Sequence, residues 1–177
     1  MSDAEFEAFV RRFQDMVFAT AVRLLGNPVD AEDVAQTVFL RAFQRFDAVG
    51  TSPAAAGWLK TTTRHLCLNH LSRYRKRWRF FSELARPEHD VSQEAGWVSA
   101  DSPDKKLEID EQQRDLERAL SRLPDHQRVP LALFHFEDLS YQEIARLLGV
   151  SVGKVKTDIH RGREALRKHL ASDDVRR

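Results

Sequence analysis

Between Gly149 and Arg163 the chain reads GVSVGKVKTDIHRGR, which places Lys154, Lys156, Thr157, His160, Arg161 and Arg163 within ten residues. These side chains suit nucleic acid: cations neutralise phosphates, hydroxyl and imidazole groups hydrogen-bond, and the arginine fork binds guanine bidentately. Asp158 stands among them, where a carboxylate would repel phosphates. On a helical wheel of about 100° per residue, Val152, Val155, Ile159 and Leu166 form a core face, and Thr157, His160, Arg161 and Glu164 lie opposite. Asp158 then falls on the flank, one turn from Lys154 and beside Arg161, so it need not meet a groove.

A second segment, SRYRKRWRFF, interleaves Tyr74, Trp78, Phe80 and Phe81 with cations, five of them in the seven residues Arg73 to Arg79. That mixture fits backbone phosphates together with stacking on unpaired bases. Residues 1–33 carry seven acids against three arginines, so the near-neutral total of +1 hides segments suited to differently charged partners. His65, Cys67 and His70 offer metal-ligand chemistry by type only. On a helix His65 points about 140° to 200° from the other two, and no paired-cysteine or HExxH spacing accompanies them. No glycine-rich phosphate loop or nucleophile turn is present, which argues against an enzyme and against a small-molecule substrate or cofactor.

The elements that must position these residues read as all-helical, with no alternating strand pattern. A first helix over about 3–26 carries Phe6, Phe9, Val10, Phe13, Val17 and Ala21 at helical spacing and ends at Gly26-Asn27-Pro28. A second, capped by Asp30, lines up Val34, Val38, Ala42 and Phe46 on one face, with Asp33, Gln36 and Thr37 starting another. A third runs from about Ala55 to Trp78. From Pro87 to Asp104 periodicity dissolves into PEHDVSQEAGWVSADSPD, an acidic linker. Helix resumes at Leu107, breaks at Pro124, and continues as three helices to about Leu170. Pro130 predicts a kink or a late helix start. Ser140 and Glu143 form a capping box, Ile144, Leu147 and Leu148 a buried stripe, Gly149 the tight turn and Ser151 the next cap, which together make a helix-turn-helix.

With 177 residues and 42% apolar content the chain can form one ordinary domain or two small ones with a buried core. One cysteine excludes an internal disulfide, and the apolar run MVFATAV is too short to span a bilayer, so a soluble cytosolic protein is expected.

Three ordered blocks, NPVDAEDVAQTVFLRAFQRF, WLKTTTRHLCLNHLSRYRKR and LPDHQRVPLALFHFEDLSYQEIARLLGVSVGKVKTDIHRGREAL, resemble the extracytoplasmic-function (ECF) sigma factors of the sigma-70 family. The resemblance runs from about Phe6 to Leu170 and implies two helical domains. Sigma region 2, residues 1–86, would bind the clamp helices of the polymerase beta-prime subunit and capture the −10 element as single-stranded DNA. A flexible acidic linker, 87–106, leads to sigma region 4, residues 107–177, whose helix-turn-helix would read the −35 element as duplex and touch the beta flap. Chemistry would belong to the polymerase, and an anti-sigma factor, in some cases at the membrane, would control the protein.

Residue by residue, the resemblance assigns polymerase binding to Asp33 and Gln36, with Asp30 and Glu32 adding charge and Thr37 standing where glutamate is common. It assigns the −10 element to Trp58, whose main role is packing, to His65, which replaces an asparagine, and to Asn69, Arg73 and Arg75. The loop from Asp47 to Pro53 lacks the usual arginine-glycine phrase. It assigns the −35 element to Lys156, Thr157, His160, Arg161 and Arg163, with Asp158 in place of an occasional arginine. Two other readings use the same motifs: a conventional helix-turn-helix repressor or activator, and a sigma mimic that sequesters an anti-sigma factor without binding DNA.

Overall fold

The structure, a computed structural model, describes the backbone of residues 2–82 and 107–174 and the side chains of 2–72 and 111–172. The linker expected over 87–106 lies outside the described residues. The chain divides into two compact units, Met1–Glu94 and Ala95–Arg177, and its described elements are all helices.

In the first unit α1 (Asp3–Leu25), α2 (Pro28–Gln44) and α4 (Ala55–Ser82) pack against one another, with the single turn α3 (Phe46–Val49) between the last two. Ser2 and Glu5 form a reciprocal capping box at the start of α1, and Gly26, at φ 66°, ends it. The cap of α2 is Asn27 rather than Asp30. The Asn27 Oδ1 accepts the Val29 N–H at 2.9 Å, and Pro28 occupies the first helical position, where its missing N–H costs nothing.

The core is built from three stripes: Phe9, Phe13, Val17 and Ala21 of α1, Ala31, Val34, Val38 and Ala42 of α2, and Ala55, Leu59, Cys67 and Leu71 of α4. Thr63 completes the α4 stripe at four-residue spacing, and its hydroxyl donates to the Leu59 carbonyl at 2.7 Å. Phe46 does not extend the α2 stripe. It starts α3 and joins Phe6 and Phe9 in an edge-to-face cluster, with centroids 5.5 and 5.3 Å away.

The second unit holds α5 (Leu107–Ser121), α6 (Asp125–His135), α7 (Tyr141–Leu148) and α8 (Val152–Asp174). The last helix packs on the other three. The late start expected from Pro130 does not occur, because α6 begins at Asp125 and runs through a buried Pro130. Asp138, at φ 54°, closes the loop to the Ser140–Glu143 capping box. Gly149, at φ 67°, ends α7, while the Gly149 and Val150 N–H groups both reach the Ala145 carbonyl. The buried residues of α7 are Ile144 and Ala145. Leu147 and Leu148, expected in the core, are only half-buried.

At Gly162 α8 comes close to α6. A Cβ there would meet the Gln127 carbonyl oxygen at 3.2 Å and the Leu131 Cδ2 at 3.5 Å. Gly162→Val should therefore destabilise the second unit by about 1–3 kcal/mol. Faster amide hydrogen exchange in α6 and α8, with α1 and α2 unchanged, is the expected signature.

Candidate nucleic-acid interface

On α8 the Ser151 Oγ accepts the Lys154 N–H at 3.2 Å, which fixes the first turn. Val155, Asp158, Ile159 and Gly162 face inward, while Thr157, His160 and Arg161 are exposed together on the outer side. Thr157 Oγ1 lies 3.0 Å from the Gly153 carbonyl, and His160 Nε2 lies 3.8 Å from a Glu164 carboxylate oxygen. Arg161 has no ion pair among the described residues, so its five donors remain available.

Two of the residues expected to read DNA, Lys156 and Arg163, are exposed as well and also make contacts within the unit. The Arg163 Nε donates to His135 Nε2 at 3.0 Å, and its guanidinium sits 5.5 Å over the Phe134 ring. Phe134 stacks on Tyr141 at 4.8 Å, and the Lys156 ammonium lies 5.7 Å over Tyr141. Both cations thus clamp an aromatic pair joining α6 to α7.

Asp158 differs more sharply from expectation. Its side chain is 8% exposed and receives the Lys154 ammonium at 2.7 Å. It belongs to the buried side of the helix and does not bridge to Arg161. The carboxylate is taken out of reach of phosphates, which removes its conflict with DNA binding.

His135 is held below its ordinary value of 6.5, first by desolvation and then by the Arg163 charge. The folded state therefore binds fewer protons than the unfolded one. The contribution of this residue is complete above pH 6.5 and declines as pH falls through the depressed folded value. Unfolding midpoints of the second unit measured from pH 5 to 7.5 should fall on the acid side, and His135→Gln should flatten that slope.

In the first unit, Trp58, Thr62, His65 and Asn69 follow one face of α4 at spacings of four, three and four, opposite the buried stripe. His65 and Asn69 are exposed and Trp58 and Thr62 half-buried. Arg73 and Arg75 continue the helix, but their side chains and the rest of the basic segment lie outside the described residues. Cys67 is fully buried while His65 is exposed on another side, so these residues do not converge on a metal.

On α2, Glu32, Asp33, Gln36 and Thr37 are exposed. The Thr37 hydroxyl lies 3.0 Å from the Asp33 carbonyl, as a donor to it. Asp30 leaves this group and turns to α4, where its carboxylate is 3.4 Å from His70 Nε2. Three apolar neighbours missed in the sequence reading join the exposed face: Val29, Leu40 and Phe43, at 62%, 58% and 44% exposure. The run Val29, Asp33, Gln36, Leu40, Phe43 alternates steps of four and three, a pattern legible in the sequence once its partner is sought outside the fold. Arg41 and Arg45 were also missed. They line a pocket of about 280 Å³ with Gln44, Trp58 and Thr62.

A helical unit with exposed polar and apolar helix faces, followed by a unit carrying a helix-turn-helix, defines a two-module helix-turn-helix protein. The chain matches the families described as Sigma-70 region 2, over residues 9–79, and Sigma-70, region 4, over residues 113–166. It is 30% identical to the ECF RNA polymerase sigma factor SigW of Bacillus subtilis, over 93% of this chain and 88% of that protein. It is 36% identical to the ECF RNA polymerase sigma factor SigE of Mycolicibacterium smegmatis, over 94% of this chain and 62% of that protein. Among solved structures it resembles the sigma factor RpoE of Bartonella quintana, crystallised with the anti-sigma factor NepR. That match has a TM-score of 0.51 and 25% identity, covering 95% of this chain and 98% of that one. The chain belongs to the ECF sigma factors of the sigma-70 family.

Proposed function

We propose that the chain directs core RNA polymerase to promoters through three separate faces, with residues 1–86 acting as region 2, 87–106 as a linker and 107–177 as region 4. The observation that carries this reading is the heptad-spaced seam on α2. Val29 and Leu40 stand exposed around Asp33 and Gln36, and Phe43, though it meets the Phe6 ring edge-on at 5.0 Å, also keeps an exposed side, a surface that suits the face of a helical pair in another protein. That partner is the beta-prime clamp helices, with Glu32 and Thr37 at the rim. Asp30, turned to His70, acts as a packing residue instead.

The α4 face of half-buried Trp58 and exposed His65 and Asn69, together with Arg73 and Arg75 farther along the chain, takes the displaced single strand of the −10 element. The outer face of α8, centred on Thr157, His160 and Arg161, enters the −35 major groove, while Lys156 and Arg163 hold the aromatic clamp behind it. The chain supplies positioning and the polymerase the chemistry. An anti-sigma factor, as in the RpoE–NepR complex, is the proposed regulator, and the cytoplasm the proposed location. No helix among the described residues is long and apolar enough to cross a membrane.

The test of the seam is binding of labelled full-length chain to core polymerase, followed by fluorescence anisotropy. Asp33→Ala combined with Gln36→Ala should weaken association about tenfold or more, as expected for residues at the centre of an interface. Unchanged affinity would remove α2 from the polymerase interface.

A further inference from the structure

One surface cluster joins three helices of the second unit: Phe134 and His135 of α6, Tyr141 of α7, and Lys156 and Arg163 of α8. Beneath it Val129, Leu131, Leu133, Val155 and Ile159 form a shared apolar core, so the joint survives when a contact at its surface breaks.

One contact in the cluster depends on a proton. The Arg163 Nε donates to His135 Nε2 at 3.0 Å, which requires an imidazole with no hydrogen on that nitrogen. Protonation turns the acceptor into a donor and leaves two cations at hydrogen-bond distance, so the contact exists only while His135 is neutral. The charged and titratable groups around the pair come from every neighbouring element. Helix α8 presents Arg163 and Lys156, with His160 and Glu164 beside Arg163 on the same helix, α7 presents Tyr141, and Glu137 and Asp138 follow in the loop after α6. Desolvation first, and the Arg163 charge second, hold His135 below its ordinary value of 6.5, so the contact is closed at neutral pH and opens on the acid side.

Arg163 is well placed once released. It is exposed, three residues after His160 and about 60° round α8 from it, which makes the two neighbours on the helix surface. His160 belongs to the face assigned to the −35 groove, so a guanidinium freed from α6 can swing to the phosphates that flank that groove.

We propose that His135 is an acid-operated latch on Arg163: the neutral imidazole holds the guanidinium against α6, and the protonated one releases it to a backbone phosphate of the −35 duplex beside His160. This rests on the reading of α8 given above.

Two measurements test it. In the full-length chain, NMR follows the Arg163 Nε–H and the His135 ring from pH 7.5 to 5. The Nε–H shift should move to that of a free arginine side chain with the same midpoint as the imidazole. In holoenzyme reconstituted from core polymerase and the full-length chain, binding of a fluorescein-labelled promoter fragment selected by that holoenzyme is titrated against salt at pH 7.5 and pH 5. On acidification the plot of log affinity against log salt should steepen by about 0.9 more in wild type than in His135→Gln, the value of one phosphate contact. The glutamine keeps an acceptor at both pH values, and His160, present in both proteins, cancels in the comparison. His135→Ala, with no acceptor, should show the steeper slope already at pH 7.5, and Arg163→Ala should abolish the extra steepening.

An Nε–H shift that stays fixed while His135 titrates would overturn the latch. So would equal steepening in wild type and His135→Gln beside a holoenzyme that does bind the fragment. Extra steepening that survives Arg163→Ala would give the contact to His135 itself and overturn the role of the arginine. A holoenzyme that binds no fragment better than core alone would overturn the reading of α8 and this proposal with it.

Discussion

Arg161→Ala should lower affinity for a −35 duplex by about 1–3 kcal/mol and relax sequence preference at a single base pair. Arg161 is exposed, shares the outer face of α8 with Thr157 and His160, and is not tied to a carboxylate among the described residues. Its fork can therefore meet a guanine without first giving up an internal contact. Arg163, two residues on and chemically identical, is expected to behave differently. Its guanidinium is committed to His135 and Phe134, so Arg163→Ala should loosen the joint between α6 and α8 while leaving base preference intact. Equilibrium binding to a panel of single-base duplex variants separates the two. A larger change of preference from Arg163→Ala would reverse the assignment.

Arg128→Ala should destabilise the second unit by about 2–3 kcal/mol. Arg128 is 4% exposed, one of few charged side chains in the core. Its Nη1 donates to the Leu123 carbonyl at 2.8 Å, and its Nη2 meets the Asp125 carboxylate. Desolvation is the largest influence on it and disfavours its charge, opposed by the Asp125 charge and hydrogen bond. Removing it strands the Leu123 carbonyl at the turn into α6 and deletes the buried stem of the side chain. Asp125 is 44% exposed and can turn to water, so the loss stays below the 3–5 kcal/mol of a broken, fully buried pair. Arg128→Met should recover the packing part only. Hydrogen exchange of α6 and α8 amides across a urea series reads both variants, and an Arg128→Met variant as stable as wild type would show that the hydrogen bonds contribute nothing net.

The parts of the fold written in local chemistry were legible in the sequence. Ser140 with Glu143, Gly149 and Ser151 each act within one turn of helix, and all three do what their types and spacing predict. The cap of α2 was misread because Asn27 and Asp30 are both good capping residues. Pro28, which marks the first helical position, decides between them.

The features that spacing did not convey required knowledge of neighbours. A helical wheel assumes one buried face, but α8 packs on three helices, and its buried arc widens far enough to take in Asp158. The same packing brings His135 and Phe134 to Arg163, an encounter 28 residues apart that no spacing rule anticipates. On the candidate site, the acids of α2 were legible by type. The apolar members of that seam went unremarked, because an exposed leucine and a buried one look alike in sequence.

Promoter-directed initiation can be measured by reconstituting the chain with core polymerase on promoter fragments selected by that holoenzyme. Mapped 5′ ends of the transcripts are then compared with those from core alone. Initiation at one fixed position is expected only when the chain is present, and Arg161→Ala should reduce it. That expectation is contradicted if the chain binds specific duplex DNA by itself yet neither associates with core nor directs initiation. That result would make it a conventional helix-turn-helix regulator.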